Sequence, residues 1–333
     1  MSRSAVSFIK IVIGLFVCVV LAAIAAVRFG GPSLKRKVFF SLISRTTDPM
    51  VLLERRVPAG IHIAYGPDTS QYGELRVPAG DGPFPIAILV HGGCWKARLR
   101  QAPPEATSAD LLRPLSEALA KTGIATWNIE YRRLGNEGGG WPGSYQDLGS
   151  AADSLNLLAP KYHLDLTRTI VIGHSSGGQL AMWLAARRRI SSTSPLYRIS
   201  PITIHGVLDL DGPPDMETAS TWDASACNEH VVAQFFGGTP TEVPARYGEG
   251  SAAALLPLGV RQEILYSGKT EFMSRNEPQW TALFQSYAVK AMQGGDRVEV
   301  VRLDKAGHFD GLNPRSSSWP TVYAKIRELL RNP

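Results

Sequence analysis

A serine sits between two glycines in Gly173-His174-Ser175-Ser176-Gly177, directly after the apolar run Thr169-Ile170-Val171-Ile172 and directly before a helix-forming stretch. A strand that turns straight into a helix strains the residue at its apex. Side chains two positions to either side would collide there, so both flanking positions need glycine. Such an apex lifts the Ser175 hydroxyl clear of its neighbours, ready to attack a carbonyl. A Gly-x-Ser-x-Gly pattern arises by chance in roughly one chain in five to ten of this length and glycine content, so the strand-to-helix setting carries the weight. Ser175 also suits the N-cap of the following helix, a role compatible with the first.

A serine nucleophile needs a base, and the tetrahedral intermediate needs a place for its negative oxygen. His308, in Ala306-Gly307-His308-Phe309 past the last predicted strand, is the natural base. Of the other downstream histidines, His205 falls in a strand and His230 in an irregular stretch, while His174 should point away from the serine. His91-Gly92-Gly93-Cys94-Trp95 ends an earlier apolar run. With no side chains at 92 and 93, the N–H groups of Gly92 and Gly93 can approach the oxyanion, joined by that of Ser176, and His91 is expected to hold the loop by hydrogen bonds. The acid that orients His308 should follow the preceding strand, where the first carboxylate is Glu271. Glu277, Asp209, Asp211 and Asp304 stand as rivals. Trp95 and Trp141 are candidates for lining a substrate pocket.

These residues must be carried by a sheet. Ile61–Tyr65 and Tyr72–Val77 alternate as antiparallel strands do, around the turn-prone Gly66-Pro67-Asp68. Pro85–Val90 is an unbroken apolar run, as a strand buried on both faces requires. Helices near 109–121, 145–158, 178–188, 279–292 and 322–330 alternate with strands at 124–129, 169–172, 204–210, 263–266 and 298–303. That alternation predicts an α/β fold: a mostly parallel central sheet with helices on both faces. Residues 212–260, rich in Pro and Gly, interrupt it as a small insertion over the sheet.

The net charge of +6 comes from scattered Lys and Arg. The run Arg187-Arg188-Arg189 reads as the cationic last turn of a helix rather than as a nucleic-acid contact. Cys18, Cys94 and Cys227 are too far apart for common metal-ligand spacing. A single bridge, Cys94 to Cys227, stays open. From Ile11 to Val27 the chain has no charged or strongly polar residue, with Arg3 and Lys10 before it and Arg28 after. The expectation is a single-pass membrane anchor within residues 1–30, the alternative being a signal cleaved near Ala23-Ile24-Ala25. A linker over 31–58 would then precede a catalytic domain over 59–333.

With these motifs in view, residues 60–330 resemble the α/β-hydrolase superfamily, specifically its bacterial esterase and kynurenine-formamidase-like branch. The resemblance rests on His-Gly-Gly-x-Trp at 91–95, Gly-His-Ser-Ser-Gly-Gly at 173–178, Glu130-Tyr131-Arg132, and Phe236-Gly237-Gly238-Thr239-Pro240. That branch usually reads Gly-x-x-Asp after the acid strand, so Gly268-Lys269-Thr270-Glu271 carries the acid role onto Glu271 with a glutamate in place of aspartate. The resemblance implies a Ser175, Glu271, His308 triad acting on a small ester, or on an amide such as an aryl formamide, with no metal or organic cofactor and no nucleic-acid partner. A catalytically silent, membrane-associated binding protein is the reading from a different class. Arg132 and Asp147 are expected to pair and brace the Gly-rich loop 135–143.

Overall fold

Apolar runs bounded by turn residues become strands throughout the computed structural model, which describes residues 49–97, 107–227, 229–268 and 271–331. The strands are β1 (Ile61–Ala64), β2 (Tyr72–Arg76), β3 (Phe84–Val90), β4 (Ala125–Ile129), β5 (Leu164–His174), β6 (Gly206–Leu210), β7 (Arg261–Ser267) and β8 (Val298–Leu303). They form one sheet in the order β1-β2-β4-β3-β5-β6-β7-β8. Pairing is antiparallel from β1 to β2 and from β2 to β4, and parallel across the rest.

The period of two along each central strand explains why both faces are covered. Ile86, Ile88 and Val90 of β3 join Val171 and Val207 in one apolar cluster. Ala87 and Leu89 join Ile170, Ile172, Leu208 and Leu210 in the other. Helices close the two layers: α1 (Arg113–Ala120), α2 (Gly143–Asp153), α3 (Leu155–Tyr162), α4 (Ser176–Ala186), α5 (Asp223–Cys227), α6 (Val231–Phe236), α7 (Glu271–Gln293) and α8 (Trp319–Arg331), besides a further helix at Pro244–Gly250 and several short turns. Every residue of α4 is buried, as expected of a helix enclosed by the fold.

Some element boundaries differ from the sequence expectation. The helix expected over 145–158 is two helices, α2 and α3, meeting at Ser154, whose hydroxyl bonds back to the Ala151 carbonyl at 2.7 Å. Back-bonding of this kind competes with helix continuation. β5 begins at Leu164 rather than Thr169, and α7 starts at Glu271 rather than Gln279. Between β6 and β7 the chain forms short helices including α5 and α6. The Phe235 carbonyl of α6 accepts from Trp141 N at 2.8 Å, joining this segment to the Gly-rich loop.

The single-pass anchor needs correcting. Among the described residues no helix is long and apolar enough to cross a membrane, and residues 11–27 lie outside the described residues.

Candidate active site

The turn at Ser175 joins β5 to α4, and its glycines are dictated by contact. A Cβ at Gly173 would fall 2.1 Å from the Gly177 carbonyl oxygen, and one at Gly177 would fall 2.3 Å from the carbonyl oxygens of both Val90 and His91. Ser175 itself adopts φ 55°, ψ −127°, a region that costs a non-glycine residue about 1–3 kcal/mol. The surroundings hold it there: Ser175 N donates to Leu210 O at 2.7 Å, tying the apex to the end of β6.

The residue that follows β6 is Asp211, and it carries the carboxylate that meets His308. Asp211 Oδ2 accepts from His308 Nδ1 at 3.0 Å. The same carboxylate accepts from Ser267 N through Oδ1 and from the Ser267 hydroxyl through Oδ2, each at 2.6 Å. Asp211 is buried, while the His308 side chain remains 21% exposed. The carboxylate in contact with His308 therefore follows β6, one strand nearer the serine than the position after β7 that chain order suggested. Glu271, expected in this role, is the first residue of α7, and its side chain lies outside the described residues. Of its rivals, Asp209 is buried beneath the turn, accepting from Gly212 N at 2.8 Å, and burial raises its pKa well above the usual carboxylate range. Asp304 pairs with Arg302 at 3.2 Å.

His174 turns toward the loop that carries His308. Its Nε2 donates to the His308 carbonyl at 2.7 Å, and the two rings lie 4.5 Å apart. Burial, helped by the nearby His308 charge, pushes its pKa down to about 3, so it stands there as a neutral clamp. Donor atoms of His174, Asp211 and His308 lie within 4.8 Å of one another, close enough to suit a cation. His174 Nε2 and His308 Nδ1 are taken up in the hydrogen bonds just described, an arrangement suited to moving a proton.

On the other side of the serine runs the loop after β3. A Cβ at Gly92 would lie 2.8 Å from Ser175 Cβ and 2.6 Å from the His174 carbonyl oxygen, so only glycine permits this approach. Gly93, Cys94 and Trp95 follow with φ of 121°, 52° and 54°, three successive left-handed conformations of which two are carried by non-glycine residues. Several ties hold the loop. His91 donates through Nδ1 to Gly92 O at 2.8 Å and through Nε2 to Glu130 at 3.0 Å. Tyr131 stacks on its ring and donates to its carbonyl. Burial alone would raise the Glu130 pKa, but His91 and Arg133 outweigh it and hold the carboxyl below the usual range. Trp95 N donates to Ser176 Oγ at 3.3 Å, and its indole to Gln179 at 3.0 Å. A disulfide joins Cys94 to Cys227 of α5, Cα atoms 5.9 Å apart, and Lys96 pairs with Glu229 beside it.

Both tryptophans expected near a pocket can now be located. Trp95 is 3% exposed, tilted against Phe235 and bonded to Gln179; it braces the loop from beneath. Trp141 is half-buried, stacked on Phe236 and edge-on to Tyr145. The Arg132 guanidinium pairs with Asp147 through two bonds of 2.8 and 2.7 Å, and the Arg132 backbone N–H and the Gln71 amide also donate to the carboxylate.

Residues 75–255 match the BD-FAE family. The chain belongs to that family. The matched span opens in β2, contains the His91 loop and the Ser175 turn, and closes just before β7. Several solved structures share the fold of this BD-FAE member. Esterase B from Lactobacillus rhamnosis has a TM-score of 0.64 at 14% identity, over 89% of this chain and 94% of that one. An acetyl ester-xyloside bifunctional hydrolase from Caldicellulosiruptor lactoaceticus has 0.58 at 16%, over 82% and 97%. A bifunctional GH43-CE protein from Bacteroides eggerthii has 0.61 at 18% over 81% of this chain. The present chain spans 37% of that larger protein. The fold is thus that of the α/β-hydrolases, as the sequence motifs implied. A search of curated protein sequences finds no match.

Proposed function

We propose that this chain is a serine hydrolase of small carboxylic esters, with Ser175 as nucleophile, His308 as base and Asp211 as the acid that orients it. The observation that carries the reading is the hydrogen bond from His308 to Asp211 at 3.0 Å, beside a serine whose backbone is bonded to the residue preceding that aspartate. BD-FAE membership and a fold shared with esterases support the substrate class.

In the proposed reaction Ser175 Oγ attacks the ester carbonyl carbon and its proton passes to His308 Nε2. Asp211 holds the opposite nitrogen and stabilises the imidazolium, without itself taking the proton. The carbonyl oxygen becomes negative facing the N–H groups of Gly92, Gly93 and Ser176. Ser176 opens α4, where the first N–H groups have no intrahelical acceptor and the dipole favours negative charge. Collapse expels the alcohol, which takes the proton from His308. Water then repeats the sequence on the acyl-enzyme, releasing the acid and free Ser175.

Labelling with a fluorophosphonate probe tests the nucleophile: wild type should label and Ser175→Ala should not. Equal labelling of both, or none of wild type, would overturn the reading. Hydrolysis of p-nitrophenyl acetate set against N-formyl aryl amides separates an esterase from an arylformamidase using the same three residues; the expectation is preference for the ester.

A further inference from the structure

At the opposite end of the strands, where β6 and β7 begin, lies a cavity of about 570 Å³. Its walls come from the end of α4, the approach to β6, the start of β7 and the turn before β8. The volume suits a small organic ligand. β6, five residues long, separates it from Asp211, a distance of roughly 17 Å at the usual strand rise. It is therefore separate from the catalytic end.

Its lining is unusually cationic. Arg187, Arg188, Arg189, Arg261 and Arg297 all contribute, together with His205, against one carboxylate, Asp296. That carboxylate is already committed: Asp296 accepts from the backbone N–H groups of Leu258 and Gly259 and from the Gln262 amide. Arg187 is neutralised by Asp153, and Arg261 by Glu263 and Glu328. Among the described residues, Arg188, Arg189 and Arg297 have no carboxylate within ion-pairing distance, Arg189 reaching only the Pro257 carbonyl. Two buried donors add to the picture. Arg187 is 4% exposed and its Nε has no partner, and His205 Nδ1 is likewise buried and unpartnered.

A helix-end reading of Arg187-Arg188-Arg189 accounts for cations near a helix terminus. It does not account for Arg261 and Arg297 converging on the same space from two other elements. Like charges gathered around a concavity repel one another, and an anion relieves that repulsion while guanidinium forks bind its oxygens in pairs.

We infer that this cavity is a binding site for a small polyanion bearing phosphate or carboxylate groups, gripped by Arg188, Arg189 and Arg297. The inference is independent of the esterase reading, since none of these residues belongs to the catalytic end. Isothermal titration of the full chain with pyrophosphate, and in parallel with tricarballylate, tests it and tells the two oxyanion chemistries apart. Wild type and Ser175→Ala should bind one of them saturably with Kd on the order of 1 mM or tighter, weakening as salt rises. The paired variant Arg188→Glu/Arg297→Glu, both exposed positions, should bind at least about tenfold more weakly, with its far-ultraviolet circular dichroism unchanged. No saturable binding of either probe, or equal affinity in the variant, would overturn the inference.

Discussion

Replacing Asp211 by Asn changes one atom and should reverse the proton on His308. The Oδ1 position accepts from Ser267 N at 2.6 Å, a contact only an oxygen can make, so the amide nitrogen must occupy the Oδ2 position facing His308 Nδ1. Two donors cannot face each other across 3.0 Å. His308 then carries its proton on Nε2 and offers Nδ1 as acceptor to the amide, leaving no free pair to receive the serine proton. The Ser267 hydroxyl, 2.6 Å from Oδ2, can still donate to Gly307 O at 3.0 Å, so the loop keeps its anchor. A reversed tautomer in a serine triad lowers kcat by about 10⁴-fold, close to 5 kcal/mol of barrier at 1.36 kcal/mol per decade. Steady-state hydrolysis of p-nitrophenyl acetate should show that loss in kcat, with KM little altered and the thermal midpoint near wild type. Glu271→Gln, measured beside it, should stay within about tenfold of wild type. The reasoning fails if Asp211→Asn retains activity within that margin while Glu271→Gln loses it, because the acid would then be Glu271.

Gly177→Ala would set a methyl 2.3 Å from two strand carbonyls, and overpacking of that kind costs about 1–3 kcal/mol; chemical denaturation should register it, with activity lost through displacement of the turn. His174 is held neutral in the fold while a free imidazole takes a proton near 6.5. The unfolded chain therefore binds the extra proton as pH falls from 6.5 toward 3, and the stability present above that window is lost within it, by about 2 kcal/mol at pH 5. Urea midpoints at pH 7 and 5 measure this, and an unchanged slope in His174→Asn would count against it. Reducing the Cys94–Cys227 bond, which closes a separation of 133 residues, should cost about 2–5 kcal/mol and lower the fluorophosphonate labelling rate as the Gly92-Gly93 loop loosens. Identical denaturation and labelling with and without reductant would contradict that role.

Much of the fold was legible because both signals it depends on are local. A short run apolar at 86, 88 and 90 and again at 87 and 89, bounded by Pro85 and by Gly92-Gly93, suits a strand covered on both sides. The glycines at 173 and 177 announce a turn too tight for any other residue. His308 was singled out by its place after the last strand. Asp211 ranked only as a rival to Glu271, because chain order points to the strand before the histidine, whereas the contact is made across the sheet from the end of β6, the strand beside the serine's own. A signal existed: Asp209-Leu210-Asp211-Gly212 sets two carboxylates at the end of an otherwise apolar strand, where burial demands a reason for each charge. Ser267 and His174 left no such trace. Their roles depend on which groups meet once β7 and the His308 loop are packed together.

The bond between Cys94 and Cys227 also bears on when and where this chain is finished. Its first cysteine follows β3, and its second emerges only after β6 and half of the intervening helices have been made. With β7, β8 and the His308 loop still to follow, both thiols are already made, and the cross-link between them seals the loop beside Ser175 onto the segment between β6 and β7. Such a seal persists in oxidising surroundings and is undone where thiols are kept reduced. The surroundings thereby choose between a loop fastened to α5 and one held by its hydrogen bonds alone.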